Sequence, residues 1–163
     1  MNIDKLFVIV MLCLTIATVS AQSKKDIREN KIVSETSNIT TIENGKEVTY
    51  KDSYILYDKN GNIAEETEYN KDGTIKRKET NKYNANKDKT EEVVFDGKDK
   101  TTRKTTFYYN ANGQKIGEIE YDGSGKIEKQ SMIIYNANGF KTEKKTYDAN
   151  KKLISTKKFT YSK

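Results

Sequence analysis

The chain has 163 residues, a net charge of +6 and 34% apolar residues, with no His, Trp or Pro and a single Cys. Without His, catalytic pairs of the Ser-His or Cys-His kind and a zinc site with its usual ligands are excluded. The mild positive charge permits a polyanion partner without requiring one, and we expect no nucleic-acid partner.

The first 21 residues predict a signal peptide. Leu6 to Val19 is an apolar run too short to anchor the chain in a bilayer, and Val19-Ser20-Ala21 offers small residues to a signal peptidase. We expect cleavage before Gln22 and a secreted or periplasmic product with no membrane span. Cys13 is lost with the leader, so disulfides play no part.

Residues 22–50 form a less regular lead-in, and residues 51–163 form a repeat domain. The polar segment Ser23-Lys24-Lys25-Asp26 predicts a frayed start, and no stretch of the mature chain shows helical periodicity. Asn44-Gly45 between apolar flanks predicts a first β-hairpin, since this dipeptide suits a two-residue turn.

From Tyr57 onwards, aromatic residues recur at alternating spacings of 12 and 14 residues, which makes a 26-residue repeat that runs four times. The odd row contains Tyr57, Tyr83, Tyr109, Tyr135 and Tyr161. The even row contains Tyr69, Phe95, Tyr121 and Tyr147. Self-similarity of this kind indicates an array of small structural units.

From Tyr57 the repeated unit is Tyr-(Asp/Asn)-x-x-Gly-x-(Ile/Lys/Leu) followed by a strand, which predicts a three-residue hairpin loop. Glycine suits the position that needs a positive φ, as at Gly61 and Gly125. Three copies carry Lys87, Asp99 or Lys151 there, and we expect those turns to be strained or irregular. The predicted strands are 63–69, 75–83, 89–95, 101–109, 115–121, 127–135, 141–147 and 153–161.

These elements predict an all-β antiparallel meander of about ten strands, built from four 26-residue double-hairpin repeats in a strongly twisted or curled sheet, either open or closed into a barrel. Pairing Tyr57 with Ile63 and Tyr69 with Ile75 would place Glu68 opposite Lys76. Glu66 would then face Lys78, and one face would carry all the aromatic rings.

The units Tyr57-Asp58-x-x-Gly61-x-Ile63 and Tyr121-Asp122-x-x-Gly125-x-Ile127 resemble YD repeats, the building block of RHS-type surface and toxin-shell proteins. The resemblance covers about Tyr57 to Tyr161, although several copies have Asn for Asp and some lose the Gly. It implies strand-turn-strand repeats on a secreted protein with surface or carbohydrate contacts. The MORN repeat is similar too, but its period is shorter and its pattern richer in Gly.

The sequence favours a non-enzymatic binding module without cofactor or metal. Paired acids for glycoside hydrolysis exist, such as Glu65 and Glu79, but they also suit solvated strand positions. The calcium-like Asp58 to Gly61 segment suits a hairpin turn equally well. The predicted binding residues are the tyrosines of the two rows, Tyr57, Tyr83, Tyr109, Tyr135, Tyr69, Tyr121 and Tyr147.

Two partner classes follow from this hypothesis. A glycan or envelope polymer would stack on exposed tyrosine rings. Alternatively, a protein partner, in the manner of an inhibitor or immunity-type module, would add to an exposed sheet edge, and a long unpaired strand from Leu153 to Tyr161 would favour this alternative. Cross-strand packing is the simpler role for the same rings.

Overall fold

The computed structural model describes residues 23–162, and the predicted signal peptide lies outside the described residues. One helix, α1 (Lys24–Glu29), precedes a ten-stranded antiparallel sheet whose strands follow one another in chain order. The strands are β1 (Ser34–Glu43), β2 (Lys46–Tyr57), β3 (Ile63–Tyr69), β4 (Ile75–Tyr83), β5 (Lys89–Asp96), β6 (Thr101–Tyr109), β7 (Lys115–Tyr121), β8 (Ile127–Tyr135), β9 (Lys141–Asp148) and β10 (Leu153–Lys158).

The predicted all-β meander is confirmed, and the sheet is open, with β1 and β10 at its edges. Strands β3 to β10 begin at the predicted residues, and only β10 is clearly shorter, ending at Lys158 instead of Tyr161. The Asn44-Gly45 turn joins β1 to β2, with both residues at positive φ. Such close agreement arises because each turn needs a specific residue type, and the repeat restates it every 26 residues.

Gly61 illustrates the repeated turn. Its amide donates to the Asp58 carbonyl at 2.9 Å, and the Asp58 amide donates to the Asn62 carbonyl at 2.8 Å. A Cβ at Gly61 would also lie 2.4 Å from the Lys24 carbonyl oxygen, so both its φ of +76° and the close helix require glycine. Lys87 and Lys151 adopt the same positive φ with a Cβ, which strains the backbone as predicted.

The turn between β5 and β6 is the irregular one. There Lys100, not Asp99, has the positive φ. The other repeat hairpins shift register beside the turn, whereas this one continues its pairing from Phe95 to Asp96 without a shift. The prediction of irregularity at this turn is therefore correct, although the strained residue is one position later.

All repeat hairpins except the one between β5 and β6 carry a β-bulge beside the turn. Tyr57 pairs with Ile63 as predicted, but Leu56 pairs with Glu65, so Ala64 is left without a partner. The equivalent extra residues in the later hairpins are Lys76, Thr90, Ile116, Glu128, Thr142 and Ile154. A bulge inserts one residue into one strand. The side chains beyond it therefore point to the face opposite to the one that strict alternation from the turn would give.

This bulge overturns two predictions about register. Glu68 lies opposite Arg77 rather than Lys76, and Glu66 lies opposite Glu79 rather than Lys78. The Lys76 ammonium still reaches the Glu68 carboxylate at 2.9 Å. The sequence pattern locates the turn but contains no separate signal for the extra residue.

The bulges also place the two aromatic rows on opposite faces, so the prediction of a single aromatic face is wrong. Tyr109 pairs with Lys115, whose ammonium binds Glu118. Tyr121 pairs with Lys104 and lies three residues from Glu118 on the other side of β7. We call the two surfaces the odd-row face and the even-row face after the row each carries.

Helix α1 corrects the predicted frayed start. Ser23 and Asp26 form a capping box, in which the Ser23 hydroxyl accepts from the Asp26 amide and the Asp26 carboxylate accepts from the Ser23 amide. The helix buries Ile27 against the turn that contains Gly61. Six residues are too few to show periodicity, which is why the pattern missed it.

Among the described residues, the buried hydrophobic side chains are those of Ile27 and Ile133. The sheet is thus a single layer stabilised mainly by its ladders, ion pairs and half-buried rings. Within residues 23–162, no helix has the length and apolar character needed to cross a membrane.

Candidate binding surface

The odd-row tyrosines hold neighbouring turns together through their hydroxyl groups. Tyr109 at the end of β6 donates to the backbone carbonyl of Lys89 at the start of β5, over 2.8 Å. Tyr83 makes the same bond to Ile63 at 3.0 Å, and Tyr135 to Lys115 at 2.8 Å. Because these hydroxyls are hydrogen-bonded to the backbone, this row has a structural role.

The ends of the odd row depart from this pattern. Tyr57 donates to the Glu35 carboxylate at 2.9 Å, and burial together with this bond raises the pKa of Tyr57 to about 12. Burial also raises the pKa of Tyr83 and Tyr109. Tyr161 lies beyond β10, and its mostly exposed ring packs at 5.1 Å from that of Phe140.

The even row is held differently. The Lys51 ammonium lies 4.4 Å from the ring centroid of Tyr69, and that of Lys104 lies 5.7 Å from the centroid of Tyr121. Phe95 occupies one position of the row, so the row does not depend on a hydroxyl. These rings present their faces to lysines instead of bonding the backbone.

Ion pairs cover most of the even-row face in the first two repeats. Lys78 binds Glu65 at 2.8 Å, and Glu91 bridges Lys82 and Lys104 at 2.7 and 2.8 Å. The repeat therefore places a carboxylate at positions 65 and 91 with lysines around each. The charges on this solvated surface are paired with one another.

The third repeat breaks this charge pattern. Gly117 stands where the other copies have Glu65, Glu91 and Glu143. Around it, Tyr108 and Ile134 replace the lysine of position 82, and Met132 replaces the threonine of positions 80 and 106. We call the resulting surface the Gly117 patch; it consists of Tyr108, Gly117, Ile119, Tyr121, Met132 and Ile134.

The geometry of the Gly117 patch is a shallow depression. Gly117 pairs with Tyr108 on one side and with Met132 on the other, so two large side chains flank a position without one. Adjacent strands lie about 4.8 Å apart, which puts these two flanks roughly 9.6 Å from each other. Tyr108 and Met132 are each 45% exposed, so the depression faces solvent.

Two polar groups border the patch. The Tyr108 hydroxyl accepts from the Thr106 hydroxyl of the same strand at 3.3 Å. Gln130 pairs with Ile119 and brings a carboxamide to the same face. A few polar groups around an apolar surface are typical of ligand sites.

On the odd-row face, the main charge cluster is structural. Glu118 is buried and bridges Lys115, at 2.8 Å, and Lys144 of the next repeat. Burial by itself would raise the pKa of Glu118, but the hydrogen bonds from the two ammonium groups outweigh it and lower the pKa below its usual value. The pKa of Glu79 is lowered in the same way by Arg77 and Lys89, against the opposing effect of burial.

The seven predicted tyrosines therefore do not form one surface. Four lie on the odd-row face, three of them bonded to backbone carbonyls, and the remaining three lie on the even-row face. Sequence reasoning missed Tyr108, Gly117 and Met132. Superposing the four copies of the repeat would have revealed Gly117, which stands where the other three copies have Glu, and Met132, which stands where the first two have Thr.

No group of three or more His, Cys, Asp or Glu side chains within residues 23–162 is arranged to hold a metal ion. The Asp58 carboxylate, considered as a calcium ligand, accepts hydrogen bonds from the amides of Asn60 and Asn62 and from the Asn62 side chain. These bonds serve the turn itself.

No family model and no curated protein matches the chain. Two solved structures are similar over about a fifth of their own length. A crystal structure of an S. aureus TarM mutant in complex with fondaparinux, α-GlcNAc-glycerol and UDP shares 22% identity, with 79% of this chain and 22% of that chain covered and a TM-score of 0.32. A second crystal structure of TarM shares 23% identity, with 80% and 22% covered and a TM-score of 0.32. A TM-score of this size is too low to show a common fold.

Proposed function

We propose that this protein is a non-enzymatic, secreted binding module for a glycan or envelope polymer, and that it binds through the even-row face at the Gly117 patch. The observation that carries the proposal is the local loss of charge in the third repeat. Tyr108 is exposed there in place of the ion-paired Lys82, and Met132 in place of a threonine, although no second layer of residues 23–162 covers the sheet at this point. Exposed apolar groups at one unit of a repeat indicate a ligand rather than a core.

A sugar chain suits the patch chemically. The C–H edges of a pyranose ring are apolar and pack on aromatic and Met side chains, while its hydroxyls need nearby donors and acceptors. Tyr108 and Tyr121 supply ring faces, and Lys104 and Gln130 supply polar ends on the same face. Gly117 has no side chain that would fill the space between Tyr108 and Met132, where the ring would lie.

The state of the carboxyl groups supports a non-enzymatic role. A glycosidase needs one acid whose pKa is raised so that it can protonate the leaving group. Within residues 23–162, each carboxyl group with a shifted pKa is shifted downward, mostly by hydrogen bonds from lysines or from its own turn. Secretion rests on the predicted signal peptide, and the resemblance to YD repeats agrees with a surface role.

The test is retention of the purified protein on insoluble polysaccharides and on cell-wall material at low and high salt. We expect retention that survives high salt, because stacking is not screened. Tyr108→Lys, which restores the residue type of Lys82, should abolish it. Tyr161→Ala is the matched control, since it removes a more exposed tyrosine outside the patch.

Retention that disappears in high salt, or that is equally lost in both variants, would contradict the proposal. The first result would reduce binding to lysine electrostatics. The second would show that no particular tyrosine forms the site.

The edge strand β10 favours the second candidate, a protein partner. All six of its residues are exposed, including Leu153 and Ile154, and its outer side has no paired strand within the described part of the chain. A partner strand would add to this edge through backbone bonds. The Phe159 amide donates to Thr142 of β9, so by alternation the Thr156 amide points to the open side of the edge. Thr156→Pro should therefore remove such binding in a pull-down from the native envelope while leaving polysaccharide retention unchanged.

A further inference from the structure

Both ends of the sheet leave one strand edge without a partner in the part of the chain that the structure describes. Strand β1 pairs with β2 alone, and β10 pairs with β9 alone. Most residues of both strands are exposed, and helix α1 packs instead on the Gly61 turn between β2 and β3. An open edge presents backbone N–H and C=O groups that another strand can bind.

The outer edge of β1 lacks the features that usually prevent such pairing. The strand has ten residues, and none of them is Lys, Arg or Pro. Its one register shift places the extra residue, Asp52, in β2, so the β1 backbone itself continues without a bulge. Val33 and Ile42, near its two ends, are the most exposed large apolar side chains of the described residues, at 65% and 67%. Such an edge is suited to receive another strand.

The backbone groups that point outward can be assigned on both edges. The Tyr57 amide donates to the Val33 carbonyl, so Val33 faces β2 and, by alternation, the amide and carbonyl of Thr36 point away from β2. On the other edge, Thr156 points away from β9 in the same way. Both strands therefore offer free donors and acceptors at known positions.

The number of strands determines how a second copy would meet this edge. Successive strands of the meander alternate in direction, so the first and the last of ten strands are antiparallel. A second copy placed beyond β10 in the same orientation would therefore add its own β1 as the next antiparallel strand. The odd-row and even-row faces would continue from one copy to the next.

The two edge strands carry opposite charges. The charged residues of β1 are Glu35 and Glu43, and those of β10 are Lys157 and Lys158. Pairing two β10 strands would bring lysines together, and pairing two β1 strands would give their glutamates no lysine. Only β1 beside β10 joins unlike charges. Glu43 already binds Lys71, which leaves Glu35 as the acid available to another copy.

Glu35 and Lys157 also lie on the same face. The Glu35 carboxylate accepts a hydrogen bond from the hydroxyl of the odd-row residue Tyr57 at 2.9 Å. Lys157 pairs with Lys144, whose ammonium binds Glu118 on the odd-row face. Within residues 23–162, neither Glu35 nor Lys157 forms an ion pair.

We propose that copies of this chain join head to tail, with the β1 edge of one copy pairing antiparallel with the β10 edge of the next. Pairing Thr36 with Thr156 brings their outward backbone groups together and places Glu35 directly opposite Lys157. The contact is heterologous, so it leaves one free edge at each end and permits dimers and longer series. It is independent of the Gly117 patch and assigns a second copy as the partner of the β10 edge.

The test uses two proline variants, each of which blocks one edge. Thr36→Pro removes an outward donor of β1 and Thr156→Pro removes one of β10, and neither amide is needed within its own sheet. We expect concentration-dependent association of the wild type in sedimentation velocity, and each variant alone to be monomeric. An equimolar mixture of the two variants should form 1:1 dimers, because one variant retains an intact β10 edge and the other an intact β1 edge.

Charge reversal gives a second test that leaves the backbone unchanged and applies if a proline variant does not fold. Glu35→Lys and Lys157→Glu should each raise the dissociation constant roughly fivefold, because like charges then face each other. A mixture of these two variants should recover the wild-type association, since each altered residue then meets an opposite charge. Far-UV circular dichroism verifies that every variant is folded.

Three outcomes would overturn the proposal: a wild type that is monomeric at about 1 mM, a folded proline variant that still associates by itself, or reversal variants that do not recover association when mixed. If the wild type is monomeric while Thr156→Pro removes a different envelope protein from the pull-down, β10 binds a foreign partner and the head-to-tail contact alone fails. Tyr108→Lys should leave the association unchanged, so a loss of polymer retention in that variant concerns the proposed function alone.

Discussion

The two faces of this sheet carry the same aromatic repeat but use it differently. On the odd-row face, the hydroxyls of Tyr83, Tyr109 and Tyr135 donate to backbone carbonyls across the neighbouring strand. On the even-row face, Phe95 replaces a tyrosine, and the rings of Tyr69 and Tyr121 meet lysines. The regular spacing of the aromatic residues therefore does not give both rows the same role. The odd row is structural because its hydroxyls bond the backbone.

The two faces differ in charge as well as in aromatic role. The odd-row face buries Glu118 between two lysines, whereas on the even-row face Glu91 bridges two lysines that remain partly in solvent. Only the even-row face loses its charges within one repeat, at Gly117. The odd-row face thus stabilises the sheet, whereas the even-row face is less constrained by the fold and is available to a ligand.

The largest expected effect comes from the buried Ile133, which the bulge at Glu128 places on the odd-row face. Ile133→Ala leaves a cavity on that face, and we expect a loss of about 3 kcal/mol in the free energy of unfolding. Urea unfolding followed by far-UV circular dichroism measures it.

Met132→Ala is the matched control, since Met132 is the neighbouring residue on the even-row face and is 45% exposed. We expect it to change the free energy of unfolding by at most about 0.5 kcal/mol. A loss for Ile133→Ala no larger than that for Met132→Ala would show that the odd-row face does not stabilise the sheet more than the even-row face.

The second effect compares the bridging carboxylates. Glu118→Gln removes a buried charge held by two ammonium groups, and we expect a loss of about 2 kcal/mol. Glu91→Gln makes the same change where the side chain is more exposed, 19% against 10%, and should cost at most about 1 kcal/mol. Equal losses would remove the distinction between the faces.

The pH dependence provides an independent check on Glu118. Because its pKa in the folded protein is lowered, its contribution to stability is present above the usual Glu pKa and is lost as the pH falls through the lowered value. The difference in unfolding free energy between the wild type and Glu118→Gln should therefore be constant near neutral pH and shrink below about pH 4.3. A constant difference down to strongly acidic pH would contradict the assignment.

The limits of prediction from sequence lie at the same bulges. Gly61 and its equivalents predict the turns because a positive φ restricts the residue type, and the strands follow from the distances between turns. The extra residue beside each turn, such as Ala64 or Glu128, has no required residue type, so the assignment of faces failed. The Gly117 patch was not predicted, because it consists of residues that differ between repeats, whereas the predictions used the residues that the repeats share.

The smallest effect tests the rows directly. Tyr109→Phe keeps the ring but removes the donor to the Lys89 carbonyl, and we expect a loss of about 1 kcal/mol in the free energy of unfolding. Tyr121→Phe makes the same change on the even-row face, where Phe95 already stands at the equivalent position, and should stay within about 0.5 kcal/mol of the wild type. If Tyr121→Phe were the more costly of the two, the even row would be the structural one, and the proposed binding face would have to move to the odd row.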